Sequence, residues 1–437
     1  MRILLLNQAF HPDVVSTAQH ASDLVAVLAE AGHDVNVVAS RRAYDDPHTR
    51  FPAESSWHGA RVIRVANTGF GKKTAWRRAV DFATFLLSCA FRLLTMPRCD
   101  VVVAMTTPPL ISFLASLFVH LKGGKLVYWI MDLNPDEAIA AGWLNGDSTL
   151  AFLLGIIQWF SLDTADSIVV LDEFMRDRIQ AKGIPATKIS ILPPWTHDSV
   201  VRYDETARAE FRRKHGLENK FVVMYSGNHS PCHPLDTLLE AARSLACNRE
   251  IAFCFIGGGS GFQKVKDFAA AHSLPNVLCL PYQPLDRVAG SLSSADLHVV
   301  AMGDPFVGIV HPCKIYNVLA LGIPFLYIGP ERSHITELMA TDGIGRFACR
   351  AAHGDLAGVI RAINQARELP SAPFGAGAEL ASRFSEDALL PRFTKLIEAL
   401  VPGQAIDGLP AAGHDSPSRY IRVFGGLAEA SQTGDKK

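Results

Sequence analysis

Short apolar runs that alternate with segments of helical periodicity constrain the fold of this chain more than any other feature. Residues 2–6 form a continuous apolar run, typical of strands that a parallel sheet buries on both faces. A segment with apolar residues at helical spacing follows from Thr17 to Ala31, and a second apolar run occupies residues 35–39. Strand, helix and strand in this order form a βαβ unit, which predicts a doubly wound sheet.

The pattern occurs in two successive series. Further candidate strands of the first series lie at 61–65, 101–104, 126–131 and 167–171, and those of the second lie at 221–225, 251–256, 276–280, 297–301 and 325–328. Two prolines at 193–194 predict a turn into a linker between the series. Because 437 residues are too many for one compact core, we predict an α/β protein with two doubly wound, Rossmann-like lobes, at 1–195 and 196–380. A closing helix at 381–401 and a mobile tail at 402–437, rich in Gly, Ala, Ser and Asp, are expected to follow.

The composition excludes several classes of protein. A net charge of -1 provides no general attraction to nucleic acid, and none is expected as a partner. The 8 cysteines include no Cys-x-x-Cys pair and lie mostly in apolar runs, which indicates buried thiols in a reducing compartment rather than disulfides or a zinc site. Because a strand-like run follows Met1-Arg2 directly, we expect no signal peptide and a cytoplasmic protein.

Residues 101–121 are the first of two segments that raise the question of a membrane. They contain no Asp, Glu, Lys or Arg, and about 20 apolar residues suffice to cross a bilayer. The sequence 106–109, Thr-Thr-Pro-Pro, interrupts the segment in its middle. We therefore expect a buried strand, a turn and a core helix here rather than a membrane span.

The second such segment, residues 72–98, combines positive charge with an apolar helix. The helix is predicted at 79–94 and is apolar nearly all round, and the segment carries one acidic residue, Asp81, against six basic ones: Lys72, Lys73, Arg77, Arg78, Arg92 and Arg98. Such a helix can lie in the headgroup region of a bilayer, and a core helix with charged ends is the alternative. We expect peripheral membrane association, with contacts to the membrane or the acceptor from Arg77, Arg78, Phe82 and Phe85.

The stretch 303–324 is the strongest candidate for a ligand site. Pro312 can open a helix at its first position, and Gly322 can end it. The helix N-terminus would then present free backbone N–H groups beside Gly308, with Lys314 projecting from the first turn. These groups together favour the binding of a phosphate, although an ordinary strand-to-helix crossover with a solvated lysine has the same local pattern.

An acidic cluster at 132–137 follows the candidate strand 126–131. Ligands of open α/β sheets bind beyond the carboxyl ends of the strands, so the cluster, and Asp132 in particular, lies where chemistry is expected. Asp132 or Asn134 could also cap the helix that Pro135 begins. The two interpretations are compatible, and both remain open.

The order of these features resembles that of the family 4 retaining glycosyltransferases of bacterial surface-polysaccharide assembly, which have two Rossmann lobes facing a central cleft (the GT-B fold). The resemblance covers about residues 1–400. It rests on the stretches Phe10-His11-Pro12, Gly32-His33-Asp34-Val35, Thr106-Thr107-Pro108-Pro109, Asp132-Leu133-Asn134-Pro135-Asp136, Leu192-Pro193-Pro194-Trp195, Tyr225-Ser226-Gly227-Asn228, Phe255-Ile256-Gly257-Gly258-Gly259 and Pro312-Cys313-Lys314-Ile315-Tyr316-Asn317.

The resemblance implies a nucleotide-sugar donor, held mainly by the second lobe, and an acceptor on the first. Gly227 and Asn228 would line the donor diphosphate, Lys314 would neutralise it, residue 317 would face the ribose, and Asp132 would lie near the transferred sugar. The donor-binding residues implied in this way are Gly227, Asn228, Gly257, Gly308, Pro312, Tyr316 and Asn317, and the catalytic ones are Asp132 and Lys314. The family transfers with retention, a phosphate oxygen of the leaving group taking the acceptor proton, and requires neither a metal nor another cofactor.

The sequence departs from the family pattern at the donor site. Ile309 and Asn317 occupy the places of two glutamates, and the Arg and Lys that many members have after the strand at 221–225 are replaced by Asn228, His229 and His233. The leading hypothesis is transfer of a sugar, UDP-linked, to a lipid-linked or saccharide acceptor at the inner face of the plasma membrane. A nucleotide-sugar epimerase of the same fold and a non-catalytic assembly subunit remain as alternatives.

Overall fold

The computed structural model describes residues 1–401 apart from 45, 47, 72, 73, 197–200 and 370–372. The expected mobile tail at 402–437 and the basic residues Lys72 and Lys73 therefore lie outside the described residues.

An 8-stranded sheet in the order β3-β4-β2-β1-β5-β6-β7-β8 organises the first lobe. Its elements are β1 (Arg2–Leu6), α1 (Ser16–Glu30), β2 (Asp34–Ser40), β3 (Glu54–Trp57), β4 (Ala60–Val65), α2 (Ala75–Thr95), β5 (Val101–Ala104), α3 (Ile111–Lys122), β6 (Lys125–Trp129), α4 (Asp136–Ala140), α5 (Thr149–Thr164), β7 (Ser167–Val170), α6 (Glu173–Ala181) and β8 (Ile189–Ile191). All neighbouring strands pair in parallel except β3, which pairs antiparallel with β4 at the edge of the sheet.

A 6-stranded, wholly parallel sheet in the order β11-β10-β9-β12-β13-β14 organises the second lobe. Its elements are α7 (Glu205–His215), β9 (Phe221–Asn228), α8 (Asp236–Ser244), β10 (Ile251–Gly258), α9 (Phe262–Ala271), β11 (Val277–Leu280), α10 (Leu285–Ser293), β12 (Leu297–Ala301), α11 (Lys314–Leu321), β13 (Phe325–Ile328), α12 (His334–Met339), β14 (Ala348–Ala351) and α13 (Leu356–Arg367). The four inner strands, β10, β9, β12 and β13, are mostly apolar and buried because helices cover both faces of the sheet, whereas the edge strands β11 and β14 are partly exposed. The prediction of two doubly wound α/β lobes is confirmed.

The end of the described chain returns to the first lobe. After α14 (Gly375–Ser382) comes α15 (Glu386–Ala399), which packs against α1. The backbone N–H of Thr196 donates to the carbonyl of Phe384 over 2.8 Å, so the two passages between the lobes run side by side. The fully buried Phe393 of α15 lies against Trp129 of β6, with ring centroids 4.6 Å apart.

The structure decides between the interpretations of residues 101–121. They form β5, a turn and α3, as expected, with Val101 and Ile111 both fully buried. Among the described residues, no helix is both long and apolar enough to span a membrane.

The helix predicted at 79–94 forms as α2, but one of its predicted membrane contacts is wrong. Phe85 is completely buried in the core beneath the helix, together with Cys89. A helix that is apolar nearly all round does not reveal from sequence which side packs inward. Phe82 is half-buried, and Arg77 and Arg78 keep partial exposure.

Candidate active site

The site lies where the carboxyl ends of the two sheets meet. The loop from β12 to α11 reaches across to the first lobe, where the N–H of Leu133 donates to the carbonyl of Ile309 over 2.9 Å. The guanidinium of Arg178, on α6, donates to the carbonyl of Val307 over 2.5 Å. The segment with Asp132 and the loop that leads to Lys314 are therefore held against each other.

Helix α11 begins at Lys314, with Cys313 as its N-cap. Pro312 therefore lies two residues before the helix and not, as predicted, at its first position. Pro312 lies buried ahead of the helix. Gly322 ends it with a φ of +64°, the left-handed conformation expected of a terminating glycine. Lys314 thus occupies the first helical position, where unpaired N–H groups and the positive end of the dipole favour an anion.

The ammonium group of Lys314 is the most unusual group in the site. Its Nζ is buried and has no hydrogen-bond acceptor among the described residues. It lies 3.7 Å from the centre of the Tyr225 ring, a cation–π contact. Burial lowers the pKa of Lys314 from 10.5 to about 7. Burial of a cation without an anionic partner is unfavourable in free energy, so this arrangement favours the binding of a negatively charged ligand.

Gly227 provides the space that Lys314 occupies. Its φ is +137°, and a Cβ at this position would lie 3.1 Å from Nζ of Lys314. Its partner in the parallel ladder is Gly257, where a Cβ would collide with the carbonyl of Gly227. Asn228 is exposed at the end of β9, and its carbonyl accepts the hydroxyl proton of Tyr225 over 2.7 Å, which fixes the ring beneath Lys314. The structure thus brings together Gly227, Asn228, Gly257 and Lys314.

Two imidazoles complete what we call the Lys–His cluster: Lys314, His229 and His233. Nδ1 of His229 lies 3.0 Å from the carbonyl of Gly227, whereas its Nε2 is buried with no partner among the described residues. Burial, and then the charge of Lys314, lower the pKa of His229 to about 4 and that of His233 to about 3. Both rings are therefore neutral near pH 7, and the cluster holds fewer protons than its composition suggests.

The acidic segment of the first lobe contains a carboxyl pair, Asp132 and Glu137, and Oε1 of Glu137 lies 3.9 Å from the thiol of Cys232 in the second lobe. Burial, and then the neighbouring Glu137, raise the pKa of Asp132 to about 8, and burial also raises the pKa of Glu137. Nδ2 of Asn134 donates to Glu137 over 3.2 Å. The pair therefore retains a proton at neutral pH and can exchange it with a substrate hydroxyl.

Helix capping does not explain Asp132 or Asn134. The N-cap of α4 is Pro135, and no side chain caps the helix. Asp136 instead pairs with Lys182 over 2.9 Å and accepts from Gln158 over 3.0 Å, a structural role. Of the acidic cluster, Asp132 and Glu137 remain for chemistry.

Tyr316 and Gly308, which the family resemblance implies as donor ligands, do not face the donor site. Tyr316 is buried, its hydroxyl 2.8 Å from Nε2 of His311 and its ring against Phe384, because this side of α11 faces the protein interior. Gly308 has a φ of +70° and lies so close to the backbone of Phe174, on α6, that a Cβ would collide with its carbonyl. Gly308 thus serves the contact between the lobes, and neither residue is open to a donor.

A buried polar cluster that the sequence did not predict connects the lobes behind the site. Nδ1 of His311 lies 2.8 Å from a carboxylate oxygen of Asp172, which precedes α6, and His334 stacks on His311 with centroids 3.7 Å apart. These three residues have the chemistry of metal ligands. Their contacts with one another, with Tyr316 and with the backbone N–H of Met175 use every polar atom of these side chains except Nε2 of His334, which has no partner among the described residues. This favours a structural connection between the lobes. The residues are far apart in sequence, so no local pattern could have indicated their contact.

Asn317 lies one turn after Lys314 on the same helix and is half-buried. Within the described part of the chain, its side chain has no hydrogen-bond partner. Its amide is therefore free to bind a ligand held by Lys314, and this residue remains a candidate contact to the ribose.

Comparison with known proteins identifies the family. A model of the glycosyl transferase 4-like domain matches residues 17–195, and a model of glycosyl transferases group 1 matches residues 207–327. A protein of Escherichia coli (strain K12) named as a colanic acid biosynthesis glycosyl transferase, WcaI, is 24% identical over 344 residues, which are 74% of this chain and 82% of the relative.

Solved structures show the same fold at low sequence identity. Sucrose-phosphate synthase from Thermosynechococcus elongatus superposes with a TM-score of 0.73 at 14% identity, covering 92% of this chain and 99% of that one. HepE from Anabaena, in complex with UDP and glucose, superposes with a TM-score of 0.68 at 14% identity, covering 91% and 100%. The chain belongs to the family 4 glycosyltransferases, which have the two-lobed GT-B fold.

Proposed function

We propose that this glycosyltransferase moves a sugar from a UDP-sugar to a lipid-linked saccharide at the inner face of the plasma membrane, with retention of the anomeric configuration. The observation that carries the proposal is the buried ammonium group of Lys314, which has no anionic partner among the described residues and lies at a helix N-terminus. A donor diphosphate has the charge and the size to be that partner.

The Lys–His cluster would act on the bond that breaks. As the bond between the sugar and the β-phosphate lengthens, negative charge builds on the departing UDP. A bound diphosphate would raise the pKa of Lys314 and so keep it protonated. It would also raise the pKa of His229, and because Nδ1 donates to the carbonyl of Gly227, Nε2 can donate to a phosphate oxygen only when the ring is protonated. Groups positioned in this way before the reaction stabilise the transition state without reorganising.

The acceptor hydroxyl would attack the sugar from the same face that UDP leaves, and its proton would pass to an oxygen of the leaving phosphate. Asp132, near the transferred sugar, would orient the acceptor, with Glu137 keeping a shared proton in the pair. We expect transfer in the presence of a chelator, because Lys314 and the helix N-terminus already oppose the charge of the diphosphate.

The comparisons support the choice of donor and acceptor classes. HepE, which shares the fold, has been crystallised with UDP and with UDP-glucose. WcaI is named for the biosynthesis of colanic acid, a polysaccharide. A UDP-sugar and a growing saccharide are therefore the substrates with which to begin, and the lipid carrier of the saccharide is part of our proposal.

The decisive experiment incubates the purified protein with a panel of UDP-sugars and a polyprenyl diphosphate-linked sugar, with and without EDTA. Mass spectrometry would detect the lengthened lipid, and NMR would give the anomeric configuration of the new bond. Lys314→Met should abolish transfer, whereas Arg213→Met, which removes an exposed cation of α7, should not. Isomerisation of the donor without an acceptor would favour the epimerase, and no turnover with any pair would favour the non-catalytic subunit.

A further inference from the structure

Helix α5 is apolar around its whole circumference, although one of its sides faces solvent. Residues 149–162 include no ionisable side chain, and the one carboxylate of the helix, the exposed Asp163, lies in the last turn on the same side as Trp159. Leu153, Ile156 and Trp159 on the outward side are each about half exposed, and Phe152 is 67% exposed. A helix that is hydrophobic all round belongs in a protein interior or in lipid. No other described residue covers this side.

The exposed side of α5 continues over two neighbouring helices. Helix α5 packs against α3, and α3 packs against α2. These three helices form what we call the apolar face, which consists of Leu87, Phe91, Leu94, Leu117, Leu121, Leu150, Phe152, Leu153, Ile156 and Trp159. From their exposed fractions these side chains present on the order of 1,000 Å², whereas the largest patch on a typical monomer is about 300–600 Å². A surface of this size indicates a partner.

Positive charge accompanies the apolar face. Helix α2 carries Arg77 and Arg92, and Lys122 at the end of α3 donates to three carbonyls at the end of α2. Among the described residues neither Arg77 nor Arg92 has an acidic partner, and the Nε atom of each lacks a hydrogen-bond acceptor. Arg77 lies over the exposed ring of Trp76, with its guanidinium 5.5 Å from the ring centre. Cations without an acidic partner, on a helix that carries part of the apolar face, fit anionic headgroups above an acyl layer. They would repel one another if two copies of the chain met through this face.

The apolar face begins beside the active site. Ile139 and Trp143, both exposed, follow the carboxyl pair in the chain and precede α5. The guanidinium of Arg78 on α2 lies 5.1 Å from the centre of the Trp143 ring, and its charge lowers the pKa of Glu137 against the effect of burial. Tryptophan favours the boundary between lipid and water. The cleft therefore opens close to the plane that the apolar face defines.

We propose that the apolar face docks on an anionic lipid bilayer, with α5 entering the boundary of the acyl layer and the arginines of α2 among the headgroups. Docking in this orientation places the opening near Trp143 at the membrane surface, where a lipid-linked acceptor lies; this consequence rests on the proposed function. The surface differs from the one expected from sequence, which was limited to residues 72–98 and did not include α5.

The test measures binding to sedimented vesicles of phosphatidylcholine with and without phosphatidylglycerol, in the absence of donor and acceptor. Phe152→Ser with Ile156→Ser should weaken binding to both kinds of vesicle more than tenfold, because two large side chains no longer leave water. Arg77→Ser with Arg92→Ser should weaken binding to the anionic vesicles by roughly 25-fold at low salt, about fivefold per arginine. Tyr282→Ser and Arg213→Ser, on the second lobe, are the matched controls and should change nothing.

Each alternative outcome identifies a different partner or surface. Wild-type binding that survives both double substitutions would place the membrane contact elsewhere. A wild-type protein that ignores vesicles and is a dimer by light scattering, but becomes a monomer with Phe152→Ser and Ile156→Ser, would show a face between two copies. Transfer to a water-soluble acceptor, measured in parallel, should be unchanged by these two substitutions, so a failure of docking and a failure of catalysis would be distinguished.

Discussion

Donor binding should weaken as the pH rises above neutrality, because the cation that meets the diphosphate is only about half protonated in the free protein near pH 7. Burial lowers the pKa of Lys314 from 10.5 to about 7. At about 1.4 kcal/mol per pKa unit, this shift disfavours the buried ammonium by on the order of 5 kcal/mol. A bound diphosphate opposes this cost and raises the pKa again, so donor binding above pH 7 must take up a proton.

The size of the effect follows from the protonated fraction of Lys314. That fraction falls from about one half at pH 7 to about one tenth at pH 8 and one hundredth at pH 9. The Kd for a UDP-sugar should therefore rise about fivefold over the first unit and tenfold over the second. A UDP-sugar is the appropriate ligand, since its diphosphate, unlike that of free UDP, has no group that titrates in this range.

Calorimetric titration in two buffers of different ionisation enthalpy measures both the Kd and the number of protons taken up. The uptake by Lys314 should be about 0.5 at pH 7 and 0.9 at pH 8, and this part of the uptake should vanish in Lys314→Met. Asp132, with a pKa of about 8, also titrates here, so Asp132→Asn serves as the control and should keep most of the uptake. A flat Kd between pH 6 and 9, or an unchanged slope in Lys314→Met, would refute the reasoning.

Substitutions at three residues, Lys314, Asn317 and Glu137, test the site by further measurements. Lys314→Met should raise the free energy of unfolding by about 1–4 kcal/mol below pH 7, because the lowered pKa of Lys314 means that its charged form opposes folding there. The gain should disappear as the pH approaches 10.5, the pKa of lysine in the unfolded chain. Urea denaturation at pH 6 and at pH 10 measures the gain at both ends of this range. Asn317→Glu should tighten UDP binding. Asn317→Leu should weaken it by roughly two- to tenfold, which corresponds to the loss of one uncharged hydrogen bond. If calorimetric titration gave equal affinities for the wild type and both variants, Asn317 would not be a ribose contact. Glu137→Gln should lower the pKa of Asp132 but leave it above 3.8, because burial is the larger cause of its shift; the limb of the pH profile of kcat/KM that reports Asp132 should move to lower pH, and an unmoved limb would show that the two carboxyls do not interact.

The sequence predicted the sheet architecture well because most strands are continuous apolar runs between turn residues. It missed three edge strands, β3, β8 and β14, because each is only 3 or 4 residues long and is interrupted by polar residues, as an edge strand permits. It placed Lys314 correctly on a helix first turn but could not show that Nζ is buried, since that depends on the Tyr225 ring, 89 positions away.

The failures for side-chain direction have a common physical cause. Both α2 and α11 are apolar on more than one side, so their sequences do not show that Phe85 and Tyr316 face the interior. The contact between Asp172 and His311 joins residues 139 positions apart and follows from lobe packing alone. The acidic pair was visible as a cluster, but only the absence of a cap on α4 separated chemistry from capping.

The return of α15 to the first lobe has a consequence for how the molecule is made. Phe393 fills a place against Trp129 that the first 196 residues leave open, and His33 of the first lobe pairs with Glu398 over 3.1 Å. As a ribosome synthesises the chain, the first lobe therefore lacks the packing of α15 until the whole second lobe has been synthesised. The lobe that begins first is completed last, so a nascent chain released before α15 would expose an uncovered tryptophan surface to chaperones and proteases.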